Sequence, residues 1–251
     1  MKFIDLNADL GEGFPYDEEL LQLVSSCNIA CGGHAGTTAS MSTTIALAKK
    51  YHVTIGAHPS YPDKENFGRK VIDISTNELK STLTQQIQQL IELAKLQNIN
   101  VEYIKPHGAL YNKAMVDIRT AEVIVQVVLA INPELPILGM PNSELEAICL
   151  KNNITFIKEG FADRKYTNAG QLVARSQNGA VIHSSTEVWE QIDQMISLQQ
   201  VNTIDQLSID MKVDSICFHG DTPEALALLK YVHQQLTEHS SSIQSFIQDG
   251  N

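Results

Sequence analysis

The chain is predicted to fold as an irregular seven-stranded (β/α) barrel, and three observations lead there. Short, β-branched apolar runs alternate with amphipathic helical stretches along the 251 residues, which implies parallel strands joined by right-handed crossovers. No hairpin dipeptide stands between alternating apolar runs. Most strand candidates end in glycine or proline beside His, Asp, Glu, Lys or Arg. A barrel brings every such ending to one rim, whereas an open sheet brings together only those near its switch point.

In chain order, Phe3 to Asn7 reads as the first strand and Tyr16 to Ser25 as a short helix with Leu20, Leu21 and Val24 on one face. Cys27 to Ala30 is the second strand. Its loop, Gly32-Gly33-His34-Ala-Gly36, leads to a helix capped by Thr37 or Thr38 that runs to Tyr51. Val53 to Ala57 is the third strand, followed by a long polar loop from His58 to Ile74. Ser75 and Glu78 have capping-box spacing, and the helix from Asn77 to Gln97 carries Leu79, Leu83, Ile87, Leu90, Ile91 and Ala94 on one stripe. Val101 to Ile104 is the fourth strand, broken by Lys105-Pro106, so Lys105 and His107 stand at its carboxyl end facing a cavity. A helix from about Ile118 to Ala130, a strand at Ile137–Met140, a helix at Ser143–Lys151 and a strand at Ile154–Ile157 follow. A second long polar loop (Asp163–Gly179) precedes a helix from Thr186 to Leu198 and a last strand from Asp214 to Phe218. Thr222-Pro223-Glu224 opens the final helix with proline in its first turn, and the polar tail after about residue 240 is expected to fray. No linker or internal repeat divides residues 1–251, so one domain is expected.

The composition is that of an ordinary globular protein, 43% hydrophobic and 19% charged, with a formal net charge of −11. That balance, without a Lys/Arg-rich run, argues against nucleic acid or an anionic membrane as partner. No stretch approaches a membrane span, and the start carries no signal-like pattern. The four cysteines, Cys27, Cys31, Cys149 and Cys217, are scattered and form no zinc framework; reduced thiols in the cytoplasm are expected.

Asp5, Asn7 and Asp9 alternate, so a continuing strand points all three into the barrel mouth. Paired carboxylates there can bind a metal or divide into acid and base. Gly32 and Gly33 beside His34 can offer backbone N–H groups to an anion, although no P-loop pattern occurs. His58, His107 and His219 each follow a different strand; converging on one rim they suit acid–base work, and Asp9 with two of them, His58 and His107, could hold a divalent metal. A lone histidine after a strand is more often structural, and His52, His183, His233 and His239 read that way. Lys105 could meet a carboxylate or phosphate, or act as a base if desolvated; Asp163-Arg164 could form a carboxylate clamp; Phe67-Gly68-Arg69 could cover a substrate.

Together these motifs carry a resemblance. DLNADLGEGFP (Asp5 to Pro15), SCNIACGGHAG (Ser26 to Gly36), GAHPSYPD (Gly56 to Asp63) with Phe67-Gly68-Arg69, YIKPHGALYN (Tyr103 to Asn112) and FHGDT (Phe218 to Thr222) resemble the LamB/YcsF family, that of the bacterial 5-oxoprolinase A subunits. Glu159 to Tyr166 resembles the family's sixth-strand motif. The resemblance implies a barrel of the glycoside hydrolase/deacetylase type. It implies ATP-dependent opening of 5-oxoproline to L-glutamate, with ATP as co-substrate alongside magnesium and with separate subunits B and C as partners. A homo-oligomer is compatible with the same reading. Carried onto matching positions, the polar set is Asp5, Asn7, Asp9, Glu12, His34, His58, Lys105, His107, Asp163, Arg164 and His219. From these, Asp9, His58, Lys105, His107 and His219 are expected to be catalytic, and Asp5, Asn7, Glu12, Gly32, Gly33, His34, Arg69, Asp163 and Arg164 to bind substrate. Two other readings stay open: a metal-dependent amidohydrolase or sugar deacetylase, and a non-catalytic subunit that delivers 5-oxoproline to chemistry on its partners.

Overall fold

The computed structural model describes residues 3–219, 225–239 and 241–247. Seven parallel strands close into a barrel: β1 (Phe3–Leu10), β2 (Ser26–Ala30), β3 (Thr54–His58), β4 (Val101–Ile104), β5 (Ile137–Gly139), β6 (Phe156–Phe161) and β9 (Ser215–Phe218). They pair in that order, and β9 closes the ring on β1 with Asp5 opposite Ser215 and Asn7 opposite Cys217. Between β6 and β9 the chain makes an excursion through a two-stranded antiparallel sheet, β7 (Gln200–Asn202) and β8 (Ser208–Asp210).

The helices are α1 (Asp17–Leu21), α2 (Thr38–Tyr51), α3 (Thr76–Leu96), α4 (Gly108–Ala114), α5 (Ile118–Ile131), α6 (Glu144–Lys151), α7 (Ser185–Asp193) and α8 (Ala225–Glu238). Side chains start them: Thr37, Ser75, Asp117, Ser143 and Ser184 each accept a backbone N–H from the first turn. Thr37 and Ser40 form the reciprocal capping box of α2. Leu79, Leu83, Ile87, Leu90 and Ala94 are the buried stripe of α3, packed with Leu6, Ala8, Ile29 and Ile55 between sheet and helices.

Alternation along the strands separates that apolar layer from the barrel interior. The inward residues of β1 are Asp5, Asn7 and Asp9, and they meet Ser26 and Asn28 of β2, Glu159 of β6 and Ser215 of β9 through hydrogen bonds. All of these except Asp9, at 7%, are 0% exposed. A polar barrel interior is stable only if its groups satisfy one another, and here, Glu159 Oε2 apart, they do so across neighbouring and facing strands.

Several elements depart from the sequence-based expectation. β1 extends to Leu10, and β6 begins and ends later than the expected Ile154–Ile157 strand, which brings Glu159 and Phe161 into the sheet. The helix α4 follows directly on Lys105-Pro106-His107 and was not anticipated. The β7–β8 pair is antiparallel, contrary to uniform strand–helix alternation; its turn places Gln206 at φ 63, a conformation usually signalled by Gly or Asn. The expected helix from Thr186 ends in a π-helical turn, Gln194–Leu198, that continues α7. The tail does not fray over residues 241–247: β10 (Ser242–Ile243) pairs with β1, and the Phe246 ring meets buried Tyr103 edge-on at 5.0 Å. The expected Thr222-Pro223-Glu224 helix start, and the tail beyond residue 247, lie outside the described residues. All four cysteines are buried free thiols. Among the described residues no helix is long and apolar enough to cross a membrane.

Candidate functional site

At the carboxyl ends of the strands lies a cavity of about 280 Å³. Its wall includes Asp9, His58, Arg69, Lys105, His107 and Phe161, with His219, Arg164 and Arg175 on the side of the long second loop.

Lys105 forms the floor. Its ammonium, 2% exposed, donates to Asp9 Oδ1 at 2.9 Å, Glu159 Oε1 at 2.8 Å and Asn7 Oδ1 at 3.3 Å, and lies 3.1 Å from Cys217 Sγ. Burial alone would push its pKa down, but Asp9, Cys217 and Glu159 outweigh burial and hold it well above the ordinary lysine value. A lysine so held keeps its proton, and its N–H groups are taken by barrel residues. It contributes positive field to the cavity and has no basic lone pair to offer. Asp9 is the mirror image: burial pushes its carboxyl up, but His58 and Lys105 outweigh it and hold the group well below the usual range.

Asp5 and Asn7 lie deeper. Asp5 accepts from Ser25 at 2.7 Å, Ser26 at 2.8 Å and Ser215, and burial still raises its pKa to about 6. Asn28 donates to Asn7 Oδ1 at 2.7 Å and Asp9 Oδ1 at 2.8 Å, while its carbonyl accepts from Tyr103 at 2.8 Å. Thus Asp5 and Asn7 support the residues that face the cavity but do not themselves line it.

On one side of Asp9 three imidazoles converge. His58 Nδ1 lies 2.8 Å from the Lys105 carbonyl and His107 Nε2 lies 2.9 Å from the Phe67 carbonyl. Carbonyls only accept, so both nitrogens carry the proton. His34 stacks on His107 at 3.6 Å and its Nε2 is 2.9 Å from Glu12 Oε1. Burial pushes His34 down to about 2, and burial with the neighbouring His58 and His34 pushes His107 well below the usual histidine range. Phe67-Gly68-Arg69 closes over this cluster. Phe67 packs against His34 and His107, and the Gly68 carbonyl accepts the Ala109 N–H at the start of α4. Gly108 needs its glycine there: at φ 55, an added Cβ would meet that carbonyl at 2.6 Å.

Across the cavity His219 Nδ1 donates to Asp163, at 2.9 Å from Oδ1 and 3.1 Å from Oδ2. Burial raises the Asp163 carboxyl, but His219, Arg175 and Arg164 outweigh it and leave the group below its ordinary value. An ionised carboxylate on Nδ1 leaves His219 Nε2 as the basic nitrogen. Asp163 therefore orients a histidine, and is not half of a clamp with Arg164. Arg164 donates to the Val173 carbonyl at 2.5 Å, which ties the second long loop to the cavity wall.

Gly32 and Gly33 are not brought to this cavity. The Gly32 N–H donates to the Ala35 carbonyl at 2.7 Å, and both glycines border a separate surface pocket beside Thr37 and Gln86. Glu159 and Arg175, by contrast, belong to the site or its floor and were not in the expected set. The Glu159–Phe161–Asp163 alternation was the available signal for the former; nothing in the sequence singles out Arg175.

A LamB/YcsF family model matches residues 4–250. The chain is 44% identical over 243 residues to the A subunit of 5-oxoprolinase from Haemophilus influenzae (strain PittGG), covering 97% of this chain and 99% of that one. It is 40% identical over 247 residues to the A subunit of 5-oxoprolinase from Histophilus somni (strain 129Pt), covering 98% and 100%. The crystal structure of a lactam utilization protein from Thermus thermophilus superimposes with a TM-score of 0.92 at 33% identity, covering 98% of this chain and 100% of that one. On the full-length match and the shared barrel, this chain belongs to the LamB/YcsF family.

Proposed function

We propose that this chain is the A subunit of a cytoplasmic 5-oxoprolinase, which opens the lactam of 5-oxo-L-proline to L-glutamate with hydrolysis of ATP and together with B and C subunits. The observation that carries the reading is the cavity itself: a carboxylate-oriented histidine faces a buried lysine and a group of arginines in a space of about 280 Å³. That volume lies at the lower end of small-ligand pockets and suits a five-membered ring bearing one carboxylate. The names of the two 5-oxoprolinase relatives, matched over nearly their whole length, supply the substrate and the expectation of partner subunits.

A five-membered lactam is an unstrained amide, so its carbonyl carbon resists water. Transfer of a phosphoryl group from ATP to the lactam oxygen makes that carbon more electrophilic. His219 Nε2, held by Asp163, takes a proton from the attacking water as the C–O bond forms. The same proton passes to the ring nitrogen as the C–N bond breaks, leaving an acyl phosphate that a second water hydrolyses. Lys105 offsets, through its field, the negative charge of the phosphoryl group carried on the carbonyl-derived oxygen. Arg164, Arg175 and Arg69, all on the cavity wall, are the cations suited to the substrate carboxylate and the phosphoryl group. Magnesium accompanies the nucleotide.

The test is to incubate the purified chain with 5-oxoproline, ATP and magnesium, with and without subunits B and C, and to measure glutamate and ADP. Glutamate that requires all three subunits and ATP supports the reading. An assembled complex that makes none, or a chain that opens the ring alone without ATP, refutes it.

A further inference from the structure

The histidine cluster beside Asp9 contains a contact that two neutral imidazoles cannot make. His58 Nε2 and His107 Nδ1 are 2.9 Å apart. Because His58 Nδ1–H donates to the Lys105 carbonyl and His107 Nε2–H to the Phe67 carbonyl, the facing nitrogens both present lone pairs. Two carboxylates add more. Glu12 Oε1 is 3.5 Å from His107 Nδ1 and 4.0 Å from His58 Nε2, and Asp9 Oδ2 is 3.5 Å from His58 Nε2. Four electron-pair donors thus converge in a buried corner of the cavity, with no hydrogen among the two rings' own N–H groups left to share.

From this convergence we propose that His58 Nε2, His107 Nδ1 and Glu12 Oε1, with Asp9 Oδ2 beside His58, form a binding site for a divalent first-row transition cation. Three features fit. The separations among His58 Nε2, His107 Nδ1 and Glu12 Oε1, 2.9 to 4.0 Å, bracket the edge of about 3.3 Å of a tetrahedron with metal–ligand bonds of about 2.0–2.1 Å, and Asp9 Oδ2 stands 3.5 Å from His58 Nε2 on the cavity side. Each histidine hands its other ring N–H to a backbone carbonyl, the outer-sphere arrangement that fixes tautomer and ring orientation in metal sites. Glu12 is held in the same way by His34, whose stacking on His107 locks both rings. Mixed imidazole and carboxylate donors suit zinc and its neighbours more than calcium or magnesium, which prefer all-oxygen cages. Asp9, His58 and His107 also line the substrate cavity, so a cation here faces the ligand and can act as a Lewis acid toward a carbonyl oxygen. The site stands independently of the lactam-opening reading.

The test uses the full chain, stripped with chelator and titrated with Zn(II) alone or Co(II) alone, without lactam, nucleotide or partner subunits. Calorimetry is expected to give one saturable site per chain, and Co(II) to show the intense visible bands of a low-symmetry four-coordinate centre. Glu12→Gln is expected to weaken binding by about 100-fold or more. His34→Gln, which removes only the group that holds Glu12, should weaken it by about 10- to 100-fold. Thermal melting with and without Zn(II) checks that each variant folds and reads the same linkage, a metal-dependent rise in Tm that the variants lose. Should Glu12→Gln fail to fold, His34→Gln carries the comparison. Absence of saturable binding, or binding of equal strength in the wild type and a folded variant, overturns the proposal and assigns the 2.9 Å contact to a proton shared by the two rings.

Discussion

Replacing Lys105 with methionine keeps most of the unbranched stem of the side chain and deletes the charge that the barrel floor is built around. The ammonium touches Glu159 Oε1 at 2.8 Å and Asp9 Oδ1 at 2.9 Å, and these carboxylate side chains are 0% and 8% exposed. At an effective dielectric constant of about 20, each contact is worth about 6 kcal/mol in gross Coulomb terms. Desolvation of the ions takes back much of this. Stranding buried carboxylates without their cation is then expected to cost about 3–5 kcal/mol, a large part of a total stability of about 5–15 kcal/mol. The pH dependence separates this cause from lost packing. Asp9 has a depressed folded pKa, so its stabilisation is present above the unfolded carboxylate value near 3.8 and is lost as pH falls through the still lower folded value. Without Lys105 the stranded carboxylates bind protons more readily, so the deficit should be largest near neutral pH and should shrink as pH falls toward about 4. Urea unfolding followed by far-ultraviolet circular dichroism at about pH 7.5 and about pH 5 measures both quantities. Adding Glu159→Gln should recover part of the loss by removing one of the two stranded charges. A Lys105→Met chain within about 1 kcal/mol of wild type, or a deficit independent of pH, would refute the electrostatic account.

Four further outcomes are expected. Asp5 has its pKa raised from 3.8 to about 6, so its ionisation destabilises the fold by about 3 kcal/mol. That loss sets in as pH rises from about 4 to 6, and Asp5→Asn should flatten stability over this interval in thermal melts. Gly56→Ala places a methyl group inside the ring of Tyr103, which is fully buried and donates to Asn28; a loss of about 1–3 kcal/mol is expected in chemical denaturation, with no relief from changes of pH. In the assembled complex, His219→Gln should lower kcat for glutamate formation by about 100- to 10,000-fold. Asp163→Asn should also lower kcat because the ring loses its orienting carboxylate, and unchanged turnover in either variant excludes the dyad as the base.

How far the site could be read in advance depended on whether its residues announce themselves locally. The first strand was legible because Asp5, Asn7 and Asp9 alternate with Leu6, Ala8 and Leu10, and that pattern has one reading once a barrel encloses it. The sixth strand was legible only in its first half, expected at Ile154–Ile157; its carboxyl half was not, because Lys158 and Glu159 interrupt the apolar run and charges ordinarily mark a loop. Only the tertiary partner, Lys105 at the end of a strand two places away in the sheet, makes Glu159 tolerable inside. The β7–β8 hairpin escaped for a different reason: Gln206 takes the left-handed conformation that a sequence reading assigns to Gly or Asn. The two-residue β10 exists through its pairing with Phe3 and Ile4, a contact between the two ends of the chain that no local window contains.

The same distinction explains why a polar barrel interior and a reactive rim go together here. Asp5 and Asn7 never reach the cavity, yet Asn7 positions the Lys105 ammonium and Glu159, and Asn28 bridges Asn7 to Asp9. Asp9 in turn sits between Lys105 on one side and His58 on the other. A hydrophobic interior would pack as well but would leave Lys105 buried with no counter-charge, and burial alone would drive it toward its neutral form. The buried carboxylates therefore keep a cation permanently charged at the cavity floor, and the amides between them hold it in one position. On this argument the inward polar residues are part of the chemistry although they touch no ligand. Substitutions at Asn7 or Asn28 should then lower turnover by misplacing Lys105 and Asp9, even where the barrel still folds.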